Sequence, residues 1–331
     1  MRNQNLWNSD WLFARGDTPE TATPVTLPHT WNAKDGQDGG NDYYRGTCLY
    51  TKAFEAPDHS DSEEVWLEFE GVAMSAVVTL NGQELTRHAG GYSTFRVNLT
   101  PALTAQNTLT VTVDNSANRT VYPQKADFTF YGGIYRDVHM LVVPHSHFAL
   151  DNHGVPALRV TPKVADDFVS AEVTIEAFCE NTPDGTEVLF TVEGVGEQTA
   201  SVQSGKAVAV FTLNPVHLWD GVADPYLYHA AAALPGGDAV AVRFGCRKIE
   251  FRPDSGFWLN GKNLRLVGTA RHQDRAGLGN ALSPAEHEED MQIIRDMGAN
   301  TVRLAHYQHA QYFYDLCDKY GLVAWAEIPY I

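Results

Sequence analysis

Short stretches in the first half of the chain alternate apolar and polar residues with the period of two that a half-buried strand requires. In VWLEFEGV (65–72), Val65, Leu67 and Phe69 fall on one side, and in TLTVTVDN (108–115) Leu109, Val111 and Val113 do the same. Asn81-Gly82 separates two strand-like runs in VVTLNGQELT (77–86), the signature of a tight type I′ hairpin. With the glycine corner HAGGY (88–92), these short strands predict a β-sandwich. A second set begins after PHSHFALDNHG, around residue 148. SAEVTIEAFCE (170–180), TEVLFTVEG (186–194) and AVAVFTL (207–213) are separated by turns at Pro183-Asp184-Gly185 and Ser204-Gly205, and AVAVRFGCRKIEF (239–251) reads as the last strand. That spacing predicts a small immunoglobulin-like sandwich.

From residue 257 the pattern changes. FWLNGKNLRL carries another Asn-Gly hairpin at Asn260-Gly261, whose second arm runs into LRLVGTA as an apolar strand leading to ARHQD. A helix follows with both ends marked: Ser283 as N-cap, Pro284 at the first helical position, Glu286 completing a capping box and Gly298 at the far end. Met291, Ile294 and Met297 form its inward stripe. NTVRLAHY (300–307) reads as a strand and AQYFYDLCDKYG (310–321) as a helix with Phe313, Leu316, Cys317 and Tyr320 at helical spacing. GLVAWAEI then reads as an apolar strand of the kind buried on both faces of a parallel sheet. Strand, helix, strand, helix, strand opens either a doubly wound sheet or a (β/α)8 barrel.

Composition narrows the class. With 24 basic against 41 acidic side chains the net charge is −17, which repels phosphate backbones and anionic membranes, so neither nucleic acid nor a membrane is an expected partner. The N-terminus has no basic segment followed by an apolar core, and Cys48, Cys179, Cys246 and Cys317 form no CxxC pair. Free buried thiols in a cytoplasmic protein are the expectation.

In a parallel α/β architecture functional residues gather at the carboxyl ends of strands. Here those ends supply Arg271, His272, Gln273 and Asp274, then Arg303, His306, Tyr307 and His309, then Glu327. Zinc ligation by His272, His306 and His309 lacks an HExxH-like spacing, and no GxSxG nucleophile elbow or Walker lysine occurs. Histidine, arginine and carboxylate groups ringed by Tyr307, Trp325 and Tyr330 suit a sugar, which offers hydroxyls at its edge and apolar C–H faces for stacking. A lone strand-end histidine is otherwise most simply a satisfied structural residue, and Arg303 a buried ion-pair partner of Glu327.

LVGTARHQD, NTVRLAHYQHAQYFYDLCDKYGLVAWAEIPYI and the earlier DFTFYGGIYRDV together resemble glycoside hydrolase family 2, most closely its bacterial β-galactosidases. The resemblance implies a jelly-roll sugar-binding domain at 1–147, an immunoglobulin-like sandwich at 148–252 and the start of a catalytic (β/α)8 TIM barrel at 253–331. It implies that His272 and His306 contact sugar hydroxyls, that Asp127 reaches over the barrel mouth to the sugar, and that Arg303 holds the nucleophilic carboxylate. Glu327 then lies deep in the pocket without being either catalytic carboxylate. Those two, the acid/base glutamate of an Asn-Glu pair and the nucleophile, belong to later strands and are expected beyond Ile331, so the resemblance implies a non-hydrolysing amino-terminal portion of a longer enzyme. It names no certain cofactor, leaving magnesium or sodium to the full-length enzyme. A β-glucuronidase of the same family, or a non-catalytic carbohydrate-binding or scaffolding module, are the alternative readings, and an open barrel edge implies self-association.

Overall fold

The computed structural model describes residues 2–35, 43–126, 128–151 and 153–330. Two antiparallel sheets face each other in the first unit, a jelly-roll sandwich. One has the order Asn3–Leu6, Val138–Pro144, Glu63–Phe69, Phe95–Asn98, and the other runs Thr23–Val25, Trp11–Arg15, Thr47–Glu55, Gln106–Asp114, Ser75–Leu80, Gln83–Ala89. The alternation decides which residues meet: Val65, Leu67, Phe69, Leu109, Val111 and Val113 are all sealed between the sheets. Asn81 and Gly82 both take positive φ, 52° and 83°, as a type I′ hairpin demands.

The second sandwich packs His147–Phe148, Ala171–Glu180, Leu158–Val164 and Lys206–Leu213 against Gly196–Ser201, Glu187–Val192, Tyr228–Ala233 and Ala239–Phe244. Gly196–Ser201 shows almost no apolar alternation, because it is exposed along nearly its whole length. The run 239–251 is not one strand. Ala239–Phe244 closes the sandwich, the chain breaks at Gly245, and Ile249–Arg252 joins Gly256–Leu259 and Lys262–Asn263 in a separate three-stranded sheet. The second arm of that hairpin is only two residues long and does not continue into the barrel strand, which starts at Gly268.

Three parallel strands follow, Gly268–Arg271, Thr301–Leu304 and Val323–Ala326, with helix α1 (Pro284–Asp296) and helix α2 (Gln311–Tyr320) between them. Ser283 and Glu286 form the expected capping box. The inward face of α1 is His287, Met291 and Ile294, while Met297 is 64% exposed, because the helix has ended and the chain is already turning at Gly298. Met291, Ile294, Val302, Leu304, Phe313, Leu316 and Cys317 make the core between sheet and helices. The third strand is not buried on both faces: Trp325 is 65% exposed and Ala324 and Ala326 are also exposed. All four cysteines are buried and unpaired with one another.

The units are pinned at named contacts. The Arg2 guanidinium bonds both oxygens of the fully buried Asp238 at 2.9 and 3.0 Å, and the Phe148 N–H donates to the same carboxylate at 2.6 Å. Trp219 Nε1 donates to the Asp318 carbonyl at 2.9 Å, tying the second sandwich to α2.

Candidate functional site

Strand register sorts the strand-end residues into two groups. Ala270, Arg303 and Trp325 are register partners on one face of the three-stranded sheet, whereas Arg271 pairs with Leu304 on the face covered by the helices. Arg271 is therefore buried, stacked 4.0 Å over the Phe313 ring. Its guanidinium donates to Asp290 at 2.9 Å and to the Nδ1 atoms of His287 and His309 at 3.0 Å each. His309 donates from Nε2 to the Ala305 carbonyl at 3.0 Å, which fixes its tautomer. Burial, then the Arg271 charge, pushes His287 down to about 3 and His309 well below the ordinary imidazole value. His309 thus belongs to the scaffold and not to the strand-end cleft.

Gln273 also turns inward. Its Oε1 accepts from the Ala310 N–H at 2.6 Å, supplying the cap that the alanine N-cap of α2 lacks. Tyr307 is buried beneath the site, stacked on Tyr92 of the jelly roll with ring centroids 4.3 Å apart, and is a support rather than a wall of the cleft.

What remains at the strand ends is a compact set. Glu327 accepts from Arg303 Nε at 2.5 Å and lies 3.0 Å from His306 Nδ1. Hydrogen bonding to Arg303 holds its carboxyl below the usual carboxylate range, so Glu327 is an anion at neutral pH. The Arg303–Glu327 pair is not the buried pair expected from sequence, because the arginine side chain is 44% exposed on the open face of the sheet. His272 and His306 sit edge to face with centroids 5.3 Å apart.

The jelly roll completes the set from above. Phe128 packs against His272 at 5.6 Å and stacks on His306 at 5.9 Å, Tyr131 donates its hydroxyl to Asp274 at 3.3 Å, and Tyr122 stacks on Tyr330. Two positions named from the sequence, Asp127 and Ile331, lie outside the described residues. Phe128 and Tyr131 reach the strand-end residues His272 and Asp274, and the described chain after the third strand closes with Tyr330. Burial and the facing Asp274 carboxylate push Tyr131 up to about 12, so it remains a donor. Phe128, Tyr131 and Tyr122 escaped the sequence reading, although DFTFYGG already shows an aromatic cluster beside the acidic residue.

Two shallow clefts open here, one of about 480 Å³ beside His306, Glu327 and Tyr330 and one of about 510 Å³ beside Phe128, His272 and Asp274. A larger cavity of about 660 Å³, between the sandwiches and α2, touches none of His272, His306 and Glu327. Among the described residues the strand-end histidines form no close metal-ligand set. Arginine and imidazole donors, a fixed carboxylate acceptor and aromatic faces are the groups that hold a polyhydroxylated ring.

A family model described as the glycosyl hydrolases family 2 TIM barrel domain matches residues 250–331, and one described as the glycosyl hydrolase 2 galactose-binding domain-like matches residues 41–151. A β-glucuronidase of Bacteroides fragilis is 36% identical over 100% of this chain and 50% of its own length. A β-galactosidase of Thermoanaerobacter pseudethanolicus is 28% identical over 98% and 46%. The solved structure of an FMN-binding β-glucuronidase from Faecalibacterium prausnitzii superposes with a TM-score of 0.93 at 39% identity, over 99% of this chain and 52% of that one. The chain spans about half the length of the curated relatives it matches.

Proposed function

Because the chain belongs to glycoside hydrolase family 2, we propose that it is a sugar-contacting part of a retaining β-glycosidase. The proposed units are residues 1–147, 148–252 and 253–331. The observation that carries the reading is the convergence of His272, His306, Arg303 and Glu327 at the strand ends under the aromatic loop containing Phe128. In the proposal, Asp127, His272 and His306 contact sugar hydroxyls. With Nδ1 of His306 engaged by Glu327, Nε2 is the atom left for the ligand. Arg303, with five donors in a rigid fork, holds Glu327 and keeps further N–H groups for the nucleophile.

A retaining enzyme needs two carboxyl groups about 5–5.5 Å apart, one to protonate the leaving oxygen and one to form the glycosyl intermediate. Glu327 is committed to Arg303 and His306, and we assign neither task to any residue of this chain up to Ile331. A terminal β-glucuronide is the favoured substrate, since the relatives bearing that activity in their names share 36% and 39% identity against 34% and 28% for relatives named as β-galactosidases. A β-galactoside is the second reading. The four buried thiols fit a cytoplasmic setting, and no helix is long and apolar enough to cross a membrane among the described residues. Self-association through the exposed Trp325 strand belongs to the same proposal.

The test is saturation-transfer NMR of the chain with methyl β-glucuronide and methyl β-galactoside, beside turnover of their nitrophenyl analogues and sedimentation of the same sample. Transfer to a sugar that His306→Ala abolishes, no turnover and a sedimenting oligomer are expected. Absence of transfer to either sugar sinks the binding assignment. Turnover lost in Glu327→Gln overturns the supporting role of Glu327, and a monomer overturns the self-association.

A further inference from the structure

A second constellation lies away from the strand ends, on the outer face of the jelly roll. Glu68 faces the side of its strand opposite the Leu67 and Phe69 core, and Glu70 is the first residue past that strand's end. His139, on the neighbouring antiparallel strand, is the register partner of Glu68. Its Nε2 lies 3.1 Å from Glu70 Oε1, and ligand atoms of Glu68, Glu70 and His139 all lie within 4.8 Å of one another. All three side chains are half-buried, and two of them are fixed by strand pairing.

The surroundings leave both room and charge. A cleft of about 220 Å³ separates Glu70 and His139 from α1 and α2 and is also lined by Asp137, Asp315 and Arg136. Two cations face the group. Arg96 bonds Glu68 Oε2 at 2.5 Å, and Arg136 is turned to the carbonyls of Glu70 and Tyr92 at 3.3 and 3.1 Å. Despite them, the hydrogen bond to Glu70 and the charges of Glu70, Glu68 and Asp137 raise the His139 imidazole.

We propose that Glu68, Glu70 and His139 bind a first-row divalent transition ion at the seam between the jelly roll and the barrel helices. One imidazole nitrogen with two carboxylates suits zinc, cobalt or manganese, whereas calcium and magnesium prefer all-oxygen shells. Ligands about 2.1 Å from an ion stand about 3.0–3.4 Å apart, so small rotations of the two glutamates close the set. Glu68 can offer Oε1 while Oε2 keeps Arg96, and waters in the cleft complete the coordination. An imidazole nitrogen ligates only when unprotonated, so protons compete with the ion and binding weakens as pH falls. This site is independent of the sugar reading.

The experiment is a cobalt(II) titration of the chelator-stripped chain, read by visible d–d absorption and by histidine NMR. One equivalent is expected to bind and to be displaced by zinc, with the His139 imidazole signals shifting first. His139→Gln and Glu70→Gln should each weaken binding about tenfold or more, while His145→Gln, at an exposed histidine on the same unit, leaves it unchanged. No binding below about 1 mM (about −4 kcal/mol), retention of binding by both variants, or another histidine shifting first overturns the site. The NMR arm on the unaltered chain decides the question even if a variant fails to fold.

Discussion

Two arginines set one strand apart show how a side chain's environment follows from its register. Arg303 shares a face with Ala270 and Trp325, is 44% exposed and answers Glu327; Arg271 shares the opposite face with Leu304 and is sealed among His287, His309 and Asp290. Both histidines accept from the same buried cation, so both are held neutral. The consequence for stability has a definite sign. An unfolded histidine takes up its proton near pH 6.5, whereas folded His287 does so only at about 3. The unfolded chain therefore binds more protons below about 6.5, and each histidine's contribution is intact above that pH and lost as pH falls toward 3. NMR titration is expected to show both imidazoles neutral at pH 5, with thermal stability declining between pH 6.5 and 4. A protonated His287 at pH 5 would contradict the network.

At the scale of elements, the helix ends carry the clearest signals and also the clearest limits. Gly298 and Gly321 both follow a helix with left-handed φ, 74° and 77°. A Cβ on Gly298 would meet nothing within 4 Å, while one on Gly321 would stand 2.1 Å from the Gly221 carbonyl of the preceding unit. Gly298→Ala should cost only the left-handed backbone term, about 1–2 kcal/mol. Gly321→Ala should cost visibly more, because the collision is with backbone that has no rotamer to yield. Urea denaturation of the two variants side by side checks this, and equal losses would show that the α2 end is not wedged against the second sandwich.

For the whole molecule, one joint between units is built on a fully buried carboxylate. Asp238 accepts from Arg2 and from the Phe148 amide while having no exposed surface. Removing it leaves a cation and an amide without their anion, a loss of about 3–5 kcal/mol. In Asp238→Ala the Phe148 amide is expected to exchange with deuterium at least about tenfold faster, a change of about 1.4 kcal/mol in local opening. Unchanged protection at Phe148 would mean that the backbone holds this joint without the carboxylate.

Several features were legible in the residues alone, because each is dictated locally. Period-two alternation put Val65, Leu67 and Phe69 inside, Asn-Gly pairs made the two hairpins, and Ser283 with Glu286 capped α1. Local pattern failed wherever a neighbour decides. Met297 falls on the α1 stripe but lies past the helix end, Gly196–Ser201 has no apolar rhythm because it pairs while exposed, and 239–251 divides between two sheets at Gly245. The site divides the same way. Strand ends could be counted from the sequence, so His272, Arg303, His306 and Glu327 were in view. Which strand-end side chains face the cleft was fixed only by pairing across the sheet, which sent Arg271 and His309 inward. Likewise, only the packing of a loop some 150 residues earlier in the chain could bring Phe128 onto His272 and His306, because contacts so distant in sequence leave no local period to read.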